Sequence, residues 1–224
     1  MSLNKEKNFV SAVVYLYNEE NSAKKFLTSL NELLKTNFEK YEIICVNDTS
    51  TDNTAKAVEE FCDENSVKSL TMIDTSFFQG VENAMVAGLD ISIGDFVFEF
   101  DSCLMDYEPT AIMEVYKKSL TGYDIVFGVP EGASKFSSRM FYKMFNKFSN
   151  MNYKIKTQRF SIISRRGINR VKSIGVRTVY RKAVYASCGL PATDYIYKPL
   201  KNAKRNDAQY PVKKNLALNS LILF

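Results

Sequence analysis

Histidine and tryptophan are both absent from the 224 residues. The lack of histidine removes a Ser-His-Asp triad, a His-ligated zinc and an imidazole general base together, so acid–base work falls to Asp, Glu, Lys, Tyr or Cys. Cys45, Cys62, Cys103 and Cys188 stand far apart, with no Cys-x-x-Cys pair. That spacing fits neither a metal knuckle nor a small secreted disulfide frame, and the thiols are read as reduced and intracellular. No apolar stretch reaches the ~18 residues that cross a bilayer, and the polar Met1–Asn8 is unlike a signal peptide. Two phosphate-binding signatures are also missing. No Gly-x-Gly-x-x-Gly follows the first apolar run and no Gly-x-x-x-x-Gly-Lys-Ser/Thr occurs, which sets aside a redox dinucleotide fold and a P-loop nucleotidase.

Apolar residues make up 46% of the chain, with 16 Phe and 13 Tyr, enough for the core of one domain of ordinary size. The net charge of +5 is uneven: residues 135–214 hold most of the basic excess, including Arg165, Arg166, Arg170, Arg177 and Arg181. A basic second half suits phosphates, nucleic acid or an anionic membrane surface, and it also suits a solvated basic face.

Short apolar runs alternate with amphipathic stretches through the first half. Phe9–Leu16, Tyr41–Val46, Val67–Ile73, Asp95–Phe100 and Tyr123–Phe127 read as strands. Asn18–Lys35, Thr51–Glu64, Gly80–Ile91 and Pro109–Leu120 read as the intervening helices, the last with proline in its first turn. This alternation implies an α/β fold with a mostly parallel, doubly wound sheet. Past Gly128 a helix is expected over Lys135–Phe148, a strand within Lys156–Ser164, a helix over Gly167–Lys182 and a loop at Asn202–Asp207. The apolar end, Asn215–Phe224, reads as a docked last helix or an interfacial one.

Ligands of open parallel sheets bind outside the carboxyl ends of the strands. Polar and acidic groups gather at successive strand ends: Asn18, Glu19 and Glu20, then Asn47, Asp48, Thr49, Ser50 and Asp52, then Asp74, then Glu99, Asp101 and Asp106. Such an edge suits Mg²⁺ or Mn²⁺ bridging to substrate phosphates. Asp48 and Asp52 could instead cap the second helix. Arg159, Arg165 and Arg166 could bind a diphosphate or a lipid phosphate, or be surface charges.

The string Val13–Glu20 (VVYLYNEE) resembles the opening of family 2 glycosyltransferases of GT-A fold, which ends in Pro-x-Tyr-Asn-Glu. Val46–Thr54 (VNDTSTDNT) is similar to their Asp-Asp-Gly-Ser-x-Asp loop, and Gly80, Ala84 and Gly88 to their Gly-x-x-x-Ala-x-x-x-Gly helix. Phe98–Pro109 (FEFDSCLMDYEP) resembles the strand that carries Asp-x-Asp, while Arg139–Asn146 and Phe160–Arg165 resemble the polyprenyl-phosphate branch, which includes dolichol-phosphate mannosyltransferase.

The resemblance implies a GT-A, Rossmann-like nucleotide-sugar-binding domain over residues 1–165, with a basic helical C-terminal extension at 166–224 packed on it. It implies transfer of a sugar from a UDP- or GDP-linked donor to a lipid phosphate or a cell-envelope glycan, with inversion. The alternative is a catalytically silent relative that serves as a regulatory or scaffolding subunit. Tyr17, Asn18 and Glu19 would line the base and ribose pocket, and Asn47 and Asp48 would bind substrate, with Asp48 on the base. Asp101 would sit by Mg²⁺ or Mn²⁺ and the diphosphate, with Glu99 as its alternative metal partner. Arg159 would take a catalytic position and Arg165 a substrate-binding one. A homodimer or homotetramer, no nucleic-acid partner, and a place in the cytoplasm or on the inner face of the membrane go with this reading.

Several family positions differ. The motif proline is Tyr15, the first acid of the loop is Asn47 and its glycine is Thr49. An asparagine becomes Phe78, an arginine becomes Pro130, and an acidic residue aligns with Arg159. The second acid of Asp-x-Asp is Cys103, and a thiol is a poor ligand for a hard cation, which weakens the expected metal site.

Overall fold

The computed structural model describes residues 5–67, 69–132, 153–174 and 180–200. In chain order its elements are β1 (Val10–Leu16), α1 (Ala23–Asn37), β2 (Tyr41–Asn47), α2 (Thr54–Asn65), β3 (Leu70–Asp74), α3 (Val81–Ile91) and β4 (Phe96–Phe100). They continue with α4 (Thr110–Ser119), β5 (Ile125–Pro130), β6 (Phe160–Ser164), α5 (Arg165–Ile174), α6 (Arg181–Ser187) and β7 (Ala192–Tyr197). The strands form one sheet in the order β3-β2-β1-β4-β6-β5-β7, and among them only β6 runs antiparallel to its neighbours. A mostly parallel sheet flanked by helices is what the alternation of apolar runs implies.

Every residue of β1 is buried, as a central parallel strand covered on both faces requires. Alternate residues feed opposite layers. Val10, Ala12, Val14 and Leu16 pack with Phe26, Leu27, Phe38, Ile112 and Tyr116 of the α1 and α4 side. Val13 and Tyr15 pack with Met85 and Leu89 of α3 and Tyr185 of α6. Gly88 lets α3 lie directly on β1 and β2, because a Cβ there would stand 2.4 Å from Val13 Cγ1 and 2.9 Å from Val46 Cγ2.

Two parts of the second half differ from the sequence expectation. The single helix over Gly167–Lys182 is two: α5 starts at Arg165, and Tyr180 is extended (φ −150°, ψ 99°) immediately before α6. Gly175 and the β-branched Val176, Thr178 and Val179 lie between them in sequence, and none of these is a good helix former. The strand β7 was not expected. It is six residues long, mostly half-exposed and, among the described residues, paired only with β5, so its apolar signal is weak. Through β7, the segment expected as a packed extension joins the main sheet. The helix expected at Lys135–Phe148, the loop at Asn202–Asp207 and the apolar run Asn215–Phe224 lie outside the described residues.

Because β6 is antiparallel, its two ends serve opposite edges of the sheet. It begins beside the carboxyl ends of β4 and β5 and finishes at their amino ends. There Arg165 donates from Nε and Nη2 to the Gly94 carbonyl (3.0 and 2.7 Å) and from Nη2 to the Ser92 carbonyl (2.9 Å). Beside it Arg166 Nε and Ser164 Oγ donate to Asp124 Oδ1 at 2.9 and 2.6 Å.

Two outcomes follow from this packing. Gly88→Ala is expected to destabilise the fold by about 1–3 kcal/mol in urea melts, because overpacking against β1 and β2 outweighs the gain in helix propensity. Burial acts to raise the Asp124 carboxyl, but the Arg166 and Ser164 hydrogen bonds outweigh it and hold the group below its ordinary value. A carboxyl depressed in this way stabilises the fold above its unfolded pKa and loses that contribution as pH falls through the folded one. Asp124→Asn should therefore be less stable than the wild type at neutral pH, and urea midpoints should converge below about pH 4.

Candidate functional site

The loops at the carboxyl ends of β1 and β2 are laced together by main-chain and side-chain hydrogen bonds. Asn18 adopts φ 52°, a left-handed conformation that asparagine tolerates. Its N–H donates to Ser50 Oγ at 3.0 Å, and its Oδ1 accepts the Thr51 N–H at 2.8 Å. The buried Glu19 donates its N–H to Thr54 Oγ1 at 2.7 Å, and its carboxylate accepts from Ser22. Asp52, one residue before the Asn53 N-cap of α2, accepts the Thr54 N–H at 3.0 Å.

Asp48 does not cap that helix. It is fully buried, and its carboxylate accepts from Tyr15 Oη (2.9 Å), Thr75 Oγ1 (3.0 Å) and the N–H groups of Gln79 (2.7 Å) and Gly80 (2.8 Å). Four donors from three segments make it the anchor of the β3–α3 loop. Expected on the base, its carboxylate is instead satisfied by the protein. Burial first, and the Asp48 charge second, push the Tyr15 hydroxyl up, so it stays a donor. The next residue, Thr49, is held at φ 56°, an outlying conformation for a β-branched side chain of the kind that clusters at functional sites.

Beside this anchor an open rim remains. Asn47 Nδ2 donates to Asp74 Oδ1 at 2.7 Å. The Tyr17 and Phe78 rings meet at 4.9 Å between centroids and 59° between planes. Phe78 is 40% exposed and its neighbour Phe77 is 66% exposed, uncommon for large aromatics.

At the end of β4 the expected metal ligands are already bound to cations of the chain. Arg181, the first residue of α6 and only 2% exposed, reaches three carboxylates. Its Nη1 lies 2.9 Å from Glu82 Oε2, its Nε 3.1 Å from Glu99 Oε1 and its Nη2 2.6 Å from Asp101 Oδ1. Glu99 Oε1 also accepts from Tyr185 Oη at 2.9 Å and its Oε2 from Ser161 Oγ at 3.0 Å. Asp101 Oδ2 is 2.9 Å from Lys182 Nζ. Burial, reinforced by the nearby Glu19 carboxylate, pushes the Cys103 thiol well up, away from the thiolate that a metal requires.

A hard divalent ion needs several oxygen ligands with lone pairs turned toward it. Among the described residues no group of three or more His, Cys, Asp or Glu side chains could hold a metal ion. Glu99 lies in the core under α6, and the occupied oxygens of Asp101 do not fit the expected ion.

The two predicted arginines part company. Arg159, at the start of β6, stands on the functional edge, with Nε 2.7 Å from Asp106 Oδ2, and Tyr197 Oη donates to Asp106 Oδ1 at 2.7 Å. Arg165, expected to bind substrate, clamps the opposite edge. Tyr17, Asn18, Glu19, Asn47, Asp101 and Arg159 are thus brought to the strand ends, while Arg165 is not. Sequence reasoning missed Glu82, Lys182 and Tyr185, and it saw Arg181 only as one of several basic residues. The available signal was the apolar run Ala183-Val184-Tyr185-Ala186 behind the Arg-Lys pair, which marks a charge buried with its helix.

Residues 11–187 match Glycosyl transferase family 2. An uncharacterized glycosyltransferase of Synechocystis sp. is 30% identical over 194 residues, covering 84% of this chain and 60% of that protein. A prophage bactoprenol glucosyl transferase homolog of Escherichia coli is 27% identical over 188 residues, covering 80% of this chain and 60% of that protein. The chain thus spans about 60% of the length of these relatives. Among solved structures, a mannosyltransferase from Pyrobaculum calidifontis, in complex with GDP-Man and Mn²⁺, superposes with a TM-score of 0.69 at 17% identity, covering 93% of this chain and 60% of that one. The architecture is the GT-A fold. Among the described residues no helix is long and apolar enough to cross a membrane.

Tyr15→Phe removes one of the four donors to the buried Asp48 carboxylate. It is expected to lower stability by about 1–2 kcal/mol, read as a shifted urea midpoint with an unchanged slope.

Proposed function

Since the chain belongs to glycosyl transferase family 2, we propose that it transfers a sugar from a nucleotide-diphosphate sugar to a lipid-phosphate acceptor, with inversion at the anomeric carbon. The observation that carries this reading is the rim at the carboxyl ends of β1 and β2, where the exposed Phe78 ring, backed by the partly buried Tyr17, stands beside loops rich in hydrogen-bonding groups. A nucleobase needs such a flat apolar partner, with polar groups at its edge. In this reading the exposed Phe78 ring, supported by Tyr17, stacks on the base, and Asn47 reads its edge. The Asn18-Glu19 turn shapes the ribose pocket, while Asp48 holds the loop that presents Phe78.

The donor diphosphate then points toward Asp101 at the end of β4. Charge develops on the departing phosphate oxygens, and preorganised positive groups there lower the barrier. Asp101 and Glu99, the expected ligands of Mg²⁺ or Mn²⁺, are already paired with Arg181 and Lys182.

The acceptor class follows from acid–base chemistry. A hydroxyl acceptor needs a carboxylate base, but Asp101 and Asp106 are both in ion pairs. A phosphate acceptor arrives already ionised and needs no base. In this reading Arg159, on the same edge and held through Nε by Asp106, attracts such an anion with its Nη groups. The bactoprenol-linked name of a relative agrees with a lipid phosphate.

Titration calorimetry with UDP and GDP tests the reading. One of the two nucleotides is expected to bind, and Phe78→Ala to weaken it by about tenfold through lost stacking. Failure of the folded protein to bind either nucleotide would remove the proposal.

A further inference from the structure

The Arg181 cluster is elaborate for a structural ion pair. Besides its three carboxylates, Arg181 donates from Nη1 to the Val81 carbonyl at 3.2 Å and from its own N–H to Glu82 Oε2 at 2.9 Å. The guanidinium is thereby immobilised under the sheet edge. Next to it Lys182 differs, because its side chain is 13% exposed against 3% for Arg181, and the Asp101 side chain that joins them is 16% exposed. The pair therefore has an inner, fixed member and an outer member at the rim, both on the carboxylate nearest the proposed diphosphate position.

We infer that Arg181 and Lys182 form a resident dication, in which Lys182 binds the donor diphosphate directly and Arg181 positions it through Asp101, without a divalent metal. The inference rests on the nucleotide-sugar reading of this site. Three observations carry it.

First, the oxygens a metal would need are taken, as Asp101 faces a different cation from each oxygen. An ion entering there would also stand within a few ångströms of two positive groups.

Second, the charges balance as they would with a metal. Two unit cations offset Glu99 and Asp101 as one divalent ion offsets two carboxylates. The third carboxyl, Glu82, is pushed up by burial, against the pull of Arg181, and stays paired with Arg181 at 2.9 Å.

Third, an ammonium carries several N–H bonds and serves as a compact point charge for phosphate oxygens, so Lys182 can engage a phosphate while it keeps Asp101. Among the described residues Arg181 makes five polar contacts with protein groups. It is a positioning residue rather than a phosphate ligand.

The test uses the whole chain and whichever of UDP or GDP it binds. Calorimetry in EDTA and in excess Mn²⁺ is expected to give dissociation constants within about twofold. Mn²⁺ added to the protein alone should keep its full free-ion paramagnetic resonance signal. Lys182→Met should weaken the nucleoside diphosphate at least tenfold while leaving the free nucleoside unchanged, and Lys182→Arg should recover much of the loss. Circular dichroism establishes that both variants are folded, and the wild-type EDTA arm needs neither of them. Binding abolished by EDTA and restored by Mn²⁺ would overturn the dication and leave the nucleotide site standing. So would a Lys182→Met loss shared equally by nucleoside and diphosphate. A folded wild type that binds neither nucleotide nor nucleoside would overturn the site itself, and the dication with it.

Discussion

The Arg181 guanidinium and the three carboxylates around it set the arrangement of everything at the functional edge. Glu82 comes from the first turn of α3, Glu99 and Asp101 from the end of β4, and Arg181 from the start of α6. Taking four ionisable groups out of water is unfavourable unless each finds partners, and breaking such a set leaves an uncompensated charge in the core. Here the donors of Arg181 meet the carboxylates and the Val81 carbonyl, while Tyr185 and Ser161 complete Glu99. A seven-residue helix has little stability of its own, so α6 is held by these bonds and by the burial of its own Ala183, Val184, Tyr185 and Ala186.

A second anchor acts at the neighbouring strand ends. Asp48 binds β1 through Tyr15, the β3 end through Thr75, and the entry to α3 through Gln79 and Gly80. Since α3 also supplies Glu82, the two anchors share one helix. Gly88 lets that helix sit directly on β1 and β2, fixing its height above the sheet. The aromatic rim and the charged cluster are therefore held at a set distance by packing, and neither depends on a flexible loop for its position.

Much of this fold was legible in the sequence because central parallel strands, buried on both faces, leave continuous apolar runs such as those of β1, β2 and β4. The edge strand β7 was not, since half-exposed positions dilute the signal. At the site, the position of Tyr17, Asn18, Asn47 and Asp101 at a strand end was legible, because it needs only local pattern. The protein partners of Asp48 and Glu99 were not, because they are supplied by groups distant in sequence. Arg159 and Arg165 show the same limit. They flank one short strand, yet the antiparallel direction of β6 sends them to opposite edges. Arg181 was hidden within a basic stretch, because its burial depends on carboxylates of α3 and β4 that are distant in sequence.

The separation of Arg181 from its partners has a consequence for biosynthesis. It follows Glu82 by 99 residues and Asp101 by 80. As the polypeptide leaves the ribosome, the first four strands can pair while their acidic groups still lack a counter-charge, and long-range closure of this kind is slow. The nascent half-sheet carries mutually repelling carboxylates until α6 arrives. Their neutralisation then waits on the docking of α6, so the charged cluster at the strand ends forms late, through contacts distant in sequence.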